Sequence, residues 1–142
     1  MPVIQTVTSS FRLELPVLIH DFTAGTGDTF KIALYTDAAT INRETSTYTT
    51  TGEVVGTGYT AGGAVLTSVT PVLIGQVTVF DFADVSWPTS SITARGALIY
   101  NFTKANRSVC TLDFGFNRTS SFSTFAIEFP VSDSNNAILR ID

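Results

Sequence analysis

Apolar and polar side chains alternate through Phe30-Lys31-Ile32-Ala33-Leu34-Tyr35-Thr36, which puts Phe30, Ile32 and Leu34 on one face of a β-strand. Residues 64–73 and 77–82 read as two further strands meeting at Ile74-Gly75-Gln76. Pro71 cannot donate to a ladder, so the first of these belongs at a sheet edge or carries a bulge. Trp87-Pro88 closes that unit, and residues 92–100, 109–114, 122–129 and 137–141 supply four more strands. Turn-rich segments 101–107, 115–121 and 130–136 separate them, and a Thr/Asn/Ser-rich loop over 37–51 holds a short strand around Tyr48. Gly52, Gly56, Gly58, Gly62 and Gly63 crowd one stretch that must turn sharply. Strands in close succession, with no crossover helix between them, predict an all-β fold: an antiparallel β-sandwich, jelly-roll-like, in one domain over residues 1–142.

One stretch follows a different period. Phe11, Leu15, Leu18 and Phe22 recur at helical spacing behind Ser10, a ready N-cap. Pro16 cuts across the pattern by removing a backbone donor and crowding the preceding turn. The expectation is one short N-terminal helix within 10–22 that is kinked at Pro16 or begins there, or no helix at all.

Composition narrows the function classes. Hydrophobic residues make up 44% of the chain and charged residues 14%, so part of the surface is expected to face a partner or a lattice neighbour. A net charge of −4 argues against nucleic acid, whose phosphates require basic groups. Leu15–Ile19, the longest apolar run, is too short to span a bilayer. Met1-Pro2-Val3-Ile4-Gln5 has no charged segment leading into an apolar stretch, so no signal peptide is expected. Cys110 is the single cysteine, which rules out an internal disulfide and fits a reducing cytosol.

The reactive residue types are sparse. His20 is the single histidine, and its neighbour Asp21 points elsewhere on either a strand or a helix. Cys110 sits inside a strand, where a small buried thiol is ordinary. One sulfur and one imidazole do not make a zinc site, and Asp81 and Asp84 lack the oxygen-rich loop that calcium needs. Asp81, Asp113 and Glu128 are the acids from which a glycosidase pair would have to be drawn, with nothing beyond their presence to support one. The run Gly56–Gly63 has no lysine after it and no helix to follow, so it reads as a turn rather than a phosphate cradle. No catalytic, cofactor-binding or metal-binding residue is predicted, and the chain does not read as an enzyme.

Several blocks carry a likeness. Residues 28–36, 53–63, Asp81-Phe82-Ala83-Asp84-Val85-Ser86-Trp87 and 92–101, continued by 109–115 and 136–141, resemble in this order a family of small structural proteins of tailed bacteriophages. The likeness runs from Phe11 almost to the end and departs at Pro16, where the family pattern is an uninterrupted amphipathic helix. It implies a virion component assembled in the bacterial cytoplasm. The favoured place is a head decoration, or cement, protein bound outside the major capsid protein shell; a tail, collar or fibre-associated module is the runner-up.

Such a protein acts through contacts, and aromatic and arginine anchors usually carry contact energy. Tyr35, Tyr48, Tyr59, Trp87, Arg95, Arg107 and Arg118 are the candidates, with Tyr48, Tyr59 and Arg118 preferred because they lie in turn-rich segments. Open sheet edges in a charge-poor chain predict a homo-oligomer, a dimer first. A carbohydrate-binding module, stacking sugars on Tyr48, Tyr59 and Trp87, is the reading from a different class.

Overall fold

The computed structural model describes residues 3–141. Met1, Pro2 and Asp142 lie outside the described residues, and with them the start of the segment read for a signal peptide. Eleven elements follow one another: β1 (Thr6–Val7), α1 (Ser9–Glu14), β2 (Phe30–Tyr35), β3 (Ala64–Val65), β4 (Ser68–Ile74), β5 (Val77–Phe82), β6 (Val85–Ser90), β7 (Thr93–Asn101), β8 (Arg107–Thr119), β9 (Ser123–Ile127) and β10 (Leu139–Ile141). The strands form three antiparallel sheets ordered β1-β8-β7-β2-β3, β10-β5-β4 and β6-β9, none closed on itself. The fold is all-β with one short helix.

The centre is the β2–β7 pair, in unbroken register from Phe30↔Asn101 to Tyr35↔Gly96. Period-two alternation gives β2 two apolar faces, and both are buried. On one face Phe30, Ile32, Leu34 and Ile99 meet Phe80 and Phe82 of β5, Trp87 of β6, Phe125 of β9 and Leu139 of β10. On the other, Ala33, Tyr35, Leu98 and Tyr100 pack with Ala39 and Ile41 from the 37–51 loop and with Val3. That loop is thus the lid of a second core, and its expected strand shrinks to a single bridge, Thr47↔Arg107.

The helix starts before Ser10. Thr8 is its N-cap, with the Phe11 amide donating to the Thr8 hydroxyl at 3.4 Å. It stops at Glu14, ahead of Pro16, which has no N–H with which to continue the ladder. The chain then reverses at Leu18, whose φ is +62° and whose side chain is 87% exposed. Phe22 therefore reaches the core from a loop, stacked on Phe30 with ring centroids 4.4 Å apart.

Two prolines sit where the ladder is already broken. Pro71 lies in β4, at a sheet edge, where the register shifts between Val69 and Val72. Trp87-Pro88 lies inside β6 rather than closing a unit, and its register with β9 shifts between Trp87 and Ser90. β8 runs on to Thr119, through most of the expected turn at 115–121, because residues 114–117 bulge out opposite Arg95 and Gly115 takes φ +84° there.

Candidate interaction surface

Two of the chain's four tyrosines bond to one carboxylate, and the other two bond to backbone carbonyls beside it. Glu53 is 9% exposed and lies opposite Tyr35 through an isolated bridge. The Tyr48 hydroxyl donates to Glu53 Oε2 at 2.6 Å, and the Tyr59 hydroxyl donates to Oε1 at 2.6 Å. The Gly62 amide adds a third bond to Oε1 at 2.7 Å. Tyr59 also accepts the Leu34 amide at 2.9 Å, while Tyr100 donates to the Gly62 carbonyl and Tyr35 to the Thr49 carbonyl, each at 2.6 Å. Burial, with the adjacent Glu53 charge, pushes the phenols of Tyr35, Tyr48 and Tyr59 well above their ordinary range and that of Tyr100 up to about 12. Turn signals point to the glycine-rich segment, but no local pattern marks Glu53 as the group that holds it to β2.

The other expected anchors also make internal contacts. Arg118 donates to the Ala126 carbonyl at 3.0 Å, with its guanidinium over the rings of Phe114 (5.2 Å) and Phe125 (4.9 Å), which braces β8 against β9. Trp87 is in the core between Tyr59 and Phe125, and Tyr35 is fully buried. Arg95 pairs with Asp113 at 2.9 Å and Arg107 with Glu14 at 2.6 Å. Tyr48, Tyr59 and Arg118 are all half-buried, and each places its polar end inside the molecule.

His20 sits in a polar network of its own. Asn101 Nδ2 donates to His20 Nδ1 at 3.0 Å, so the ring proton is on Nε2, which donates to Glu14 at 2.8 Å. Burial lowers the imidazole's pKa, and Glu14 offsets this only in part. Asp28 receives Asn101, Lys104 and the Asp21 amide; those bonds outweigh its burial and hold its carboxyl below the usual range. Both ring nitrogens of His20 are thus taken, and the network ties the 15–29 loop to β7. Burial pushes the Cys110 thiol up to about 12, out of thiolate chemistry. Among the described residues no three His, Cys, Asp or Glu side chains gather to hold a metal ion.

Four exposed aliphatic residues, Val69, Val72, Leu73 and Ile74, lie on β4, the edge strand of its sheet. Leu13, Val17 and Leu18 add a second group at the end of α1. A cleft of about 810 Å³ lies between α1 and the sheet of β5 and β10, walled by Phe11, Leu15 and Pro16 on one side and Phe80, Leu139 and Ile141 on the other.

These features define an all-β domain that turns its tyrosines inward and leaves aliphatic side chains outward on an edge strand and around a cleft. No family model, no curated protein and no solved structure matches the chain.

Proposed function

We propose that this chain is a structural protein of a bacteriophage particle, a head decoration (cement) protein bound to the outside of the major capsid protein shell. The carrying observation is the set of exposed aliphatic side chains on the edge strand β4, with Leu73 68% exposed. Exposed aliphatic side chains on an edge strand are stabilised by a covering partner. The low charge content and the likeness of the sequence blocks to a tailed-phage family support the same reading.

In this reading the sheets stack as a jelly-roll-like sandwich around the shared core, and the protein works by contact rather than by catalysis, without a cofactor, nucleic acid or membrane. Copies associate through exposed edge strands, a symmetric dimer first. Tyr48, Tyr59 and Arg118 contribute through their half-buried faces, with their polar ends keeping loop and strand in place.

The test is to locate the chain in purified particles by mass spectrometry and cryo-EM. Density on the outer capsid surface is the expected result. Density confined to the tail moves the assignment to a tail, collar or fibre-associated module, and absence from particles overturns the virion reading. A Val72→Thr, Leu73→Ser variant added to particles stripped of the protein should lose occupancy at an unchanged melting temperature.

A further inference from the structure

The cleft beside α1 has a chemistry of its own. Its remaining lining residues are Val7, Arg12 and Arg140, so two cations border an apolar trough that no aspartate or glutamate among the described residues lines. Neither arginine is in an ion pair among the described residues. Arg140 reaches the Ser134 carbonyl at 3.3 Å and is attracted by nearby Asp133, whose carboxylate bonds to Asn135 and Asn136 rather than to the guanidinium. A smaller cleft of about 510 Å³ shares Val7, Leu139 and Arg140 and continues along Ala137 and Ile138, again without an acidic lining residue among those described. The trough therefore follows β10.

β1 and β10 each end their sheet, and both contribute to the trough. A terminal strand offers backbone donors and acceptors to an added strand, and side chains alternate along any strand that docks there. Apolar side chains of the incoming segment would meet Phe11, Phe80, Leu139 and Ile141. Its carboxylates would meet Arg12 and Arg140. We infer that this trough docks an extended segment of a partner protein in which apolar residues alternate with carboxylates, laid beside β10.

The inference deepens the reading of the chain as a contact protein, and its test is independent of particles. Purified protein is titrated, by fluorescence anisotropy, into a panel of labelled extended peptides alternating valine or leucine with glutamate, and into the same panel with lysine replacing glutamate. Saturable binding is expected for glutamate peptides only, weakening with added salt. The Arg12→Glu, Arg140→Glu double variant should weaken it by about tenfold or more and admit the lysine peptides. Both arginines are exposed, so the melting temperature should not move. An Ile141→Asp variant should weaken binding without reversing the charge preference. No saturable binding in the glutamate panel, equal binding of both panels, or unchanged affinity in the double variant overturns the inference. Concentration-dependent dimerisation of the wild type that the double variant abolishes, with no peptide bound, makes the occupant a second copy and overturns it too. Absence from particles would sink the virion reading and leave these results standing.

Discussion

The Tyr59 hydroxyl donates to Glu53 at 2.6 Å while accepting the Leu34 amide at 2.9 Å, so one phenol ties the glycine-rich segment to the C-terminal end of β2. Tyr59→Phe removes both bonds and leaves a buried N–H without a partner, which should cost about 2 kcal/mol. Tyr48→Phe removes one bond, and Glu53 keeps its other donors; about 1 kcal/mol is expected. Urea denaturation of both variants against the wild type measures the two values, and equal losses would contradict the double role of Tyr59.

The same cluster sets the alkaline limit. The Tyr100 phenol is raised from 10 to about 12 in the fold, so its contribution is intact below pH 10 and is lost as pH rises through about 12. Tyrosinate absorbance should therefore rise together with loss of near-UV circular dichroism. Tyrosinate appearing around pH 10 with the fold intact would contradict the buried network. Cys110, raised to about 12 by burial, should react with alkylating reagents only as fast as the protein opens.

Acid acts first through His20. Its folded pKa is below the unfolded 6.5, so the unfolded chain takes up the proton more readily. Stability is then full above pH 6.5 and falls as pH drops below it. Asp28, Asp113 and Asp133, held below 3.8, add a separate loss further into acid. A His20→Gln variant should start less stable and lose the first phase while keeping the second, as read from denaturation midpoints across pH.

Glycine is required at some turns and merely preferred at others. At Gly63, φ is +80° and an added Cβ would collide with the Ile32 carbonyl oxygen and lie 2.8 Å from the Ala33 Cα. Gly63→Ala must displace β2 and should cost about 3 kcal/mol or more. Gly75, at the β4–β5 turn, has φ +62° with open space around it, so Gly75→Ala should cost about 1 kcal/mol. Thermal midpoints of the pair separate steric contact from backbone conformation alone.

Period and punctuation determined a good deal of this protein from the chain alone. Alternation at 30–36 placed β2 and one of its two buried faces, Pro71 pointed to a sheet edge or a bulge and the structure has both, and the glycines marked the turns at 52–63. Those are local properties, carried by neighbouring residues and backbone sterics. The tertiary structure decided what each element meets. A loop reading of 37–51 does not reveal that Ala39 and Ile41 cover a second core, since its few apolar residues have no period until β2 and β7 present a surface to them. Tyr48 and Tyr59 looked like free anchors because a tyrosine in a turn-rich segment carries no mark of where its hydroxyl points. Glu53 draws both inward, because a carboxylate taken out of water is stabilised only where several donors converge on it, and donors five to nine residues away meet it only once their segment folds back onto β2 through the Leu34 amide.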